Sequence, residues 1–303
     1  MPFIELPDVR LFYIDRPPPA DTAHTGALTI PTILVHGLWD SADTWIHQLP
    51  HLRTRCRTLA VDLKGHGRTG PSGGEYSTGR HAADLEAFIE RLGIGPVVLI
   101  GHSMGASVAA VLAVRRPDLI HAVVSIDPDY AGADDDRARM GALADGLDGS
   151  SAEATALQIV TAMVEGPNTP PHLVEWHRLA VLALSPDTRA RTFRDNAFSP
   201  GSIRFRPEAD TVLRQRSQPV LALHRDSARM QADERSFAHP ASKTISISGV
   251  GHFFHQEIPE YVNSEIDRWL ATLPISLSEL DPRGGADPAT ASPQERGTFR
   301  KER

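Results

Sequence analysis

The chain has 303 residues, of which 41% are hydrophobic, so it is long and apolar enough to bury a large core. Its formal net charge is −7 and no basic block offsets the acidic excess, which excludes a nucleic-acid or polyanion partner. Cys56 is the single cysteine, so an intramolecular disulfide framework is excluded and a structural zinc site or other bound metal is not expected.

The start of the chain, from Met1 to Asp8, contains early acids and prolines and no apolar signal segment, which predicts a cytoplasmic protein. The stretch from Leu92 to Val114 carries no Asp, Glu, Lys or Arg and is long enough to span a bilayer. Glycines and Pro96 interrupt it, however, so we expect a buried core segment and no membrane partner.

Strand and helix patterns alternate through the first 130 residues, as is typical of a mostly parallel twisted sheet flanked by helices, an α/β fold. A proline-rich loop runs from Arg16 to Thr29. The predicted strands are Phe3 to Leu6, Arg10 to Ile14, Thr32 to Val35, Arg57 to Val61, Val97 to Ile100 and Ala122 to Ile126, and the predicted helices are Thr44 to Arg53, Thr78 to Leu92 and Ala106 to Val114.

The pattern changes after residue 130. Residues 131–216 predict helices without strands, at Ala152 to Val164, Pro171 to Leu184 and Pro186 to Phe198. Strands return at Val220 to Leu223 and Thr244 to Ile247, followed by a helix from Pro259 to Leu273. We therefore predict a core formed by residues 1–130 and 217–274, an all-helical lid over the carboxyl edge of the sheet, and a disordered tail at 275–303.

The run Gly101-His102-Ser103-Met104-Gly105 fits G-x-S-x-G between a predicted strand and a predicted helix, which is the context of a nucleophile elbow. Small residues on either side of Ser103 let the backbone pass close to its neighbours while the hydroxyl stays exposed. Ser103 is therefore the predicted nucleophile.

A serine hydroxyl needs a base, and His252 is the candidate among 14 histidines, because Gly251-His252 directly follows the last strand at the same sheet edge. Two backbone N–H groups, from Met104 after the nucleophile and from Leu38 after the third strand, are the predicted oxyanion donors. The side chains of His36, His102 and His255 are expected to hold structure rather than to react.

Together these motifs make the chain resemble the α/β-hydrolase fold superfamily from Pro2 to about Leu273. The resemblance also includes His36-Gly37, the Asp62-x-x-Gly65-x-Gly67-x-Thr69 loop and a helical insertion in the usual lid position. It implies a serine hydrolase in which Ser103 is the nucleophile, His252 the base, and Leu38 and Met104 the oxyanion amides.

The position of the acid departs from the common family pattern. Most members place it just after the strand that follows the lid, where this chain has Ala228, with Asp226 two residues earlier. A minority, including lactonases of the zearalenone-hydrolysing type, place it after the strand that follows the elbow helix, where Asp127 stands. We favour Asp127 over Asp226, because the carboxylate must reach His252 at the sheet edge and fix its tautomer.

The predicted reaction is cleavage of an ester or lactone of a small to medium hydrophobic substrate through an acyl-enzyme, with no cofactor. The alternatives are C–C bond hydrolysis of a diketone or cofactor-free perhydrolysis on the same triad, and a slow or non-enzymatic ligand-binding receptor of the same fold. Trp39 and Trp176 are candidates for substrate contact, although packing within the lid is the favoured alternative for Trp176. The sequence does not determine the oligomeric state.

Overall fold

A computed structural model describes residues 3–20 and 30–273, with an eight-stranded sheet at their centre. The strands are β1 (Phe3–Glu5), β2 (Arg10–Arg16), β3 (Thr32–Val35), β4 (Thr58–Val61), β5 (Val97–His102), β6 (Ile120–Ile126), β7 (Val220–His224) and β8 (Lys243–Ser246). They lie side by side in the order β1-β2-β4-β3-β5-β6-β7-β8. The pairs β1 with β2 and β2 with β4 are antiparallel, and all other neighbouring strands are parallel.

The central parallel strands end level with one another, which creates a common carboxyl edge. Val35 of β3 is in register with Val61 of β4 and with Gly101 of β5, and Gly101 is in register with Ser125 of β6. These strands are buried along their full length apart from one residue of β6, because helices cover both faces of a parallel sheet. The predicted α/β fold class is confirmed.

The helices of the core flank this sheet and are α1 (Gln48–Leu52), α2 (Thr78–Leu92), α3 (Met104–Arg115), α9 (Ser227–Glu234), α10 (Phe254–Glu257) and α11 (Pro259–Leu270). Helix α2 shows why its predicted bounds were accurate. The Ser77 hydroxyl accepts from the N–H of Arg80 at 3.1 Å and caps the start, while Gly93, at φ 61°, ends the helix in a left-handed turn.

Residues 131–216, which we call the insertion, form helices between β6 and β7. They are α4 (Asp136–Gly146), α5 (Ala152–Ile159), α6 (Pro171–Ala183), α7 (Pro186–Phe198) and α8 (Glu208–Leu213), with a 3₁₀ turn at Gly149–Ser151 and a π-helical turn at Val160–Val164 after α5. The insertion has its own apolar core, which includes Met140, Val160 and Phe193 and which also packs against Trp39. Its function as a lid stays a prediction.

One predicted helix was wrong in detail, and several helices were not predicted. The helix predicted from Thr44 to Arg53 is a 3₁₀ turn at Ala42–Trp45 followed by the short α1. Pro50 explains the break, because it has no N–H to donate to the carbonyl of residue 46. Helices α4 and α9 were not predicted, since neither shows a clear apolar stripe along its charged sequence.

The uncharged stretch from residue 92 to 114 forms a loop, strand β5 and most of helix α3, as expected for a buried core segment. No helix in the described ranges is long and apolar enough to cross a membrane. The predicted disordered tail, 275–303, and most of the predicted loop at 16–29 lie outside the described residues.

Candidate active site

A pocket of about 660 Å³ opens at the carboxyl edge of the sheet, beneath the insertion. It is lined by residues from the ends of β3, β5, β6 and β7, from the loop after β8 and from the insertion: Leu38, Trp39, His102, Ser103, Asp127, Pro128, Asp129, Ile159, Met163, Val164, Phe193, Arg204, Arg225, Asp226, Ser227, Arg229, Ser248, Gly249, Val250, His252 and Phe253. Open α/β sheets bind ligands at this edge.

Ser103 lies in a sharp turn between β5 and α3. Its backbone has φ 52° and ψ −119°, a conformation that non-glycine residues rarely adopt. The turn depends on close backbone approaches, because a Cβ on Gly101 would overlap the backbone of Gly105, and a Cβ on Gly105 would overlap the carbonyl of Val35. The structure thus has the geometry of a nucleophile elbow, with Ser103 facing the pocket.

His252 and Asp127 meet in the same pocket. Nδ1 of His252 lies 2.5 Å from Oδ2 of Asp127, and because a carboxylate only accepts, the imidazole donates this hydrogen bond. The bond leaves Nε2 of His252 as the nitrogen without a proton. No hydrogen bond joins His252 to Ser103 Oγ within the described residues, and in ligand-free enzymes such bonds often tighten only when substrate binds.

The protonation states of the pair follow from their surroundings. Burial lowers the pKa of His252 below its ordinary value, although the bond to Asp127 opposes that shift, so the imidazole is neutral at pH 7. Burial would raise the pKa of Asp127, but the hydrogen bond from His252 and the positive charge of Arg225 outweigh it and hold the carboxyl well below its usual range. Asp127 is therefore ionised and His252 can accept a proton.

Asp226, the alternative acid, lies elsewhere in the pocket wall and serves a different role. Its carboxylate accepts from the N–H groups of Ala228 at 2.8 Å and of Arg229 at 3.2 Å, which caps the start of α9. No hydrogen bond from Asp226 to His252 occurs in the part of the chain that the structure describes. Of the two candidate acids, the structure therefore places Asp127 against the imidazole.

Arg225 is a further partner of Asp127 that the sequence analysis did not identify. Its Nε donates to Oδ2 of Asp127 at 2.6 Å, and its Nη2 donates to the carbonyl of Met163 in the insertion at 2.7 Å. The same guanidinium therefore connects the carboxylate beside His252 to the π-helical turn. π-Helical turns occur frequently at functional sites.

Of the two predicted oxyanion donors, Met104 directly follows Ser103 and Leu38 lines the same pocket as Ser103. Met104 is the first residue of α3, so its N–H has no partner within the helix, and the helix dipole favours negative charge there. Leu38 lies in the turn after β3 and lines the pocket. Neither N–H donates to another group within the described ranges, which leaves both free for a ligand oxygen.

The loop that carries His252 is bonded to the insertion at several points. The N–H of His252 donates to the carbonyl of Val164 at 2.8 Å, and Asn168 Nδ2 donates to the carbonyl of Gly249 at 2.9 Å. Glu257 joins both sides, because it accepts from the Gly251 N–H at 2.9 Å and from the Thr169 hydroxyl at 2.6 Å. The insertion and the imidazole loop are held together as one unit at this edge.

The neighbouring histidines make hydrogen bonds that support the site, and His102 also lines the pocket. His102 donates from Nε2 to the carbonyl of His252 at 3.0 Å, and its ring lies 4.5 Å from the His252 ring. His36 donates from Nδ1 to the Gly37 carbonyl and accepts the Leu63 N–H at Nε2. His255 is fully buried against the Thr44 hydroxyl at 3.1 Å.

The two tryptophan candidates differ in position. Trp39 lines the pocket, stacks on Phe193 at 5.6 Å and donates its indole N–H to the Thr192 hydroxyl at 3.1 Å. Trp176 does not line the pocket and is 38% exposed, so a substrate contact by Trp176 stays a prediction that this pocket does not support. The reason is the phase of α6, which buries Leu173, His177 and Val181 at four-residue spacing and turns Trp176 away.

Backbone strain is concentrated around the pocket. Within the described ranges, the non-glycine residues at positive φ are Trp39, Ser103, Asp127 and Ala131, and three of these four line the pocket. Strained residues of this kind persist where the surrounding structure enforces them, commonly at functional sites. No group of three or more His, Cys, Asp or Glu side chains suited to a metal ion occurs in residues 3–20 and 30–273.

The fold and the site define a class of proteins, those with an α/β sheet that presents a serine at a strand-to-helix elbow and a histidine after the last strand. The chain belongs to the alpha/beta hydrolase fold family, whose sequence model matches residues 31–255.

Relatives with known names match only part of the sequence. The lipase LipV of Mycobacterium tuberculosis is 37% identical over 99 residues, which is 33% of this chain and 37% of that protein. The chain spans about a third of the length of the curated relatives it matches.

Solved structures match over nearly the whole fold. A thermophilic esterase from Thermogutta terrifontis superposes with a TM-score of 0.72 at 23% identity, over 89% of this chain and 96% of the esterase. The enol-lactonase from Burkholderia xenovorans gives a TM-score of 0.71 at 15% identity, over 89% of this chain and all of the lactonase. At these identities the likeness concerns the fold.

Proposed function

We propose that the protein is a serine hydrolase that cleaves an ester or lactone bond through the triad Ser103, His252 and Asp127. The observation that carries the proposal is the 2.5 Å contact between His252 Nδ1 and Asp127 Oδ2 in the pocket that the Ser103 elbow faces. A nucleophile, a base and a carboxylate that orients the base are the components of nucleophilic acyl transfer.

The reaction begins when Ser103 Oγ attacks the substrate carbonyl carbon and Nε2 of His252 takes the hydroxyl proton. The carbonyl oxygen becomes an oxyanion, which the N–H groups of Leu38 and Met104 stabilise. The tetrahedral intermediate collapses, the bond to the leaving oxygen breaks, and His252 returns the proton to that oxygen. The product of this half-reaction is an acyl-enzyme on Ser103.

Water completes the cycle. His252 removes a proton from a water molecule that attacks the acyl carbon, the same amides hold the second oxyanion, and Ser103 leaves with the proton from His252. Asp127 remains ionised throughout and stabilises the imidazolium that forms in each half-reaction. Its low pKa supports this role, because a carboxyl that stays deprotonated keeps Nδ1 as the donor and Nε2 as the base.

A fluorophosphonate probe tests activation of the serine without a choice of substrate. We expect the wild-type protein to be labelled and Ser103→Ala not to be. Absence of labelling in a folded wild-type sample would contradict the hydrolase proposal and favour a ligand-binding protein of the same fold.

The acid is tested by a matched pair of variants. Asp127→Asn should slow labelling about 1000-fold or more, because the amide donates to Nδ1 and forces the proton onto Nε2. Asp226→Asn is the control, since asparagine also caps helices well and α9 remains capped. A large loss in Asp226→Asn with little loss in Asp127→Asn would reassign the acid.

A further inference from the structure

The pocket has a charged wall as well as an apolar one. Three arginines line it, Arg204, Arg225 and Arg229, and the sequence prediction of a hydrophobic substrate did not anticipate them. Arg225 is engaged with Asp127 and the insertion, as described above. The other two share a different carboxylate, that of Asp129.

Arg204 and Arg229 are joined through Asp129. Nη1 of Arg204 forms a close ion pair with Oδ1 of Asp129, and Nη1 of Arg229 lies 3.7 Å from the same oxygen. The other carboxylate oxygen of Asp129 accepts from Asn196 Nδ2 at 3.0 Å. Asp129 is therefore fully occupied and neutralises one guanidinium charge of the two.

Several donors of these guanidinium groups have no anionic partner. Nε of Arg204 is buried and has no hydrogen-bond partner in the described residues, while Nη2 of Arg204 has only the thioether sulfur of Met140 at 3.7 Å. Nη1 of Arg229 donates to the Pro128 carbonyl at 2.9 Å. Nη2 of Arg229 makes no hydrogen bond within the described ranges.

Asp226 is a second carboxylate beside Arg229, on the more exposed side of the cluster. Its Oδ2 is 3.9 Å from Nε of Arg229, its side chain is about half exposed at 52%, and its other oxygen caps α9. By contrast, the side chain of Arg204 is 7% exposed. Within the described residues, the buried guanidinium of Arg204 has one carboxylate partner, Asp129, and its Nε has no hydrogen-bond acceptor, which is costly unless an acceptor binds there.

Burial, and then the neighbouring charge of Arg229, lower the pKa of Arg204, while the ion pair with Asp129 acts in the opposite direction. A guanidinium destabilised in this way gains from an added anion, and such perturbed groups cluster at functional sites. The planar guanidinium groups match a carboxylate in particular, because they can donate two parallel hydrogen bonds to it.

The cluster adjoins the nucleophile in space. The N–H of Asp129 donates to the backbone carbonyl of Ser103 at 3.2 Å. An anion held by Arg204 and Arg229 would therefore lie in the same pocket as the scissile bond, where it can orient the substrate.

We propose that Arg204 and Arg229 form a subsite for a carboxylate carried by the substrate, so that the preferred substrates are anionic esters or lactones such as half-esters of dicarboxylic acids. This inference rests on the proposed hydrolase function and specifies its substrate class.

Paired esters of equal length test the subsite. On the acyl side, 4-nitrophenyl hemisuccinate, hemiglutarate and hemiadipate are each compared with the neutral 4-nitrophenyl alkanoate of the same chain length. On the leaving-group side, 3-carboxyphenyl butyrate is compared with phenyl butyrate. The quantity measured is the ratio of kcat/KM for the carboxylate ester to that for its neutral partner.

We expect the ratio to be at least 10 in one of these series for the wild type and to fall at least fivefold in Arg229→Gln. Arg139→Gln, an exposed arginine of α4 paired with Asp136, is the matched control and should keep the wild-type ratio. Arg229 is the primary variant, because loss of the more deeply buried Arg204 would endanger folding. Thermal unfolding of each variant verifies that it is folded.

The outcomes separate the two proposals. If neutral esters are hydrolysed and no series shows a carboxylate preference, or if Arg229→Gln keeps the preference, the subsite proposal is overturned and the hydrolase proposal stands. If no ester is hydrolysed and Ser103 is not labelled by the fluorophosphonate, both proposals fail.

Discussion

Replacement of Arg225 by glutamine should move the pH dependence of the Ser103 reaction. The guanidinium donates to the same Asp127 oxygen as His252, and its positive charge is one of the influences that lower the pKa of His252. Removal of that charge makes the imidazolium easier to form, so the pKa of His252 should rise. Because His252 must be neutral to act as a base, the acid limb of the rate profile should move to higher pH.

The size of the shift can be worked from the geometry. His252 Nδ1 and Arg225 Nε lie 2.5 Å and 2.6 Å from one oxygen, so at most about 5 Å separates them. Two charges at that distance interact by about 3 kcal/mol at an effective dielectric constant near 20 and by less than about 1 kcal/mol in water. The Arg225 side chain is 29% exposed, which favours an intermediate value near 1.4 kcal/mol, or about one pH unit.

The assay is the rate of fluorophosphonate labelling between pH 4.5 and 9, which requires no substrate. In Arg225→Gln the midpoint of the acid limb should rise by about one unit. The plateau rate should fall about tenfold, because a charge-assisted hydrogen bond to Asp127 is lost. Arg225→Lys keeps the positive charge and should leave the midpoint near the wild-type value. An unchanged or lowered midpoint in Arg225→Gln, with the protein folded, would refute the electrostatic reasoning.

Three further predictions concern the elbow, the buried histidines and the pocket wall. Gly105→Ala should lower the free energy of unfolding by about 2 kcal/mol or more in urea titrations and abolish labelling, because a Cβ on residue 105 overlaps the Val35 carbonyl. Native stability with normal labelling would argue against a tightly packed elbow. Burial lowers the pKa of His66 to about 3 and of His177 to about 4. Their neutral forms therefore contribute stability that is complete above about pH 6.5 and is lost as the pH falls toward those pKa values. Tm should fall between pH 7 and pH 5, and a flat profile would show that these rings are not buried. Trp39→Ala should slow labelling more than tenfold, because it removes the indole that stacks on Phe193 in the pocket wall. Trp176→Ala should change the labelling rate less than twofold. Equal effects would contradict the placement of Trp39 in the pocket and of Trp176 outside it.

Features determined by local spacing were accessible from sequence. Gly101 and Gly105 predicted a turn at Ser103 in which the backbone passes close to its neighbours, and the structure contains those close approaches. Helix α2 was predicted at its observed bounds because its start and its end carry local signals, a Ser cap and a left-handed glycine. The proposed roles of Ser103 and His252 began from the same kind of local pattern.

Features that depend on packing across the chain were not accessible in the same way. The contacts among Arg204, Asp129 and Arg229 join three segments that only the closed fold brings together, and none of them has a local pattern. Some signals were present but unused. Asp226 precedes α9 in the position of a helix cap, and the four-residue spacing of Leu173, His177 and Val181 already turns Trp176 outward.

The bonds between the insertion and the loop of His252 limit how freely this protein can be remodelled. The carbonyl of Val164 holds the His252 backbone, and that of Met163 holds Arg225, so two main-chain oxygens of the insertion complete the setting of the proposed base and acid. An exchange of residues 131–216 for the corresponding segment of a relative would therefore alter the reaction machinery along with the pocket. In a chimaera, the junctions should lie in α5, before Val160, and in α6, after Thr169, so that residues 160–169 are kept from this protein together with its core.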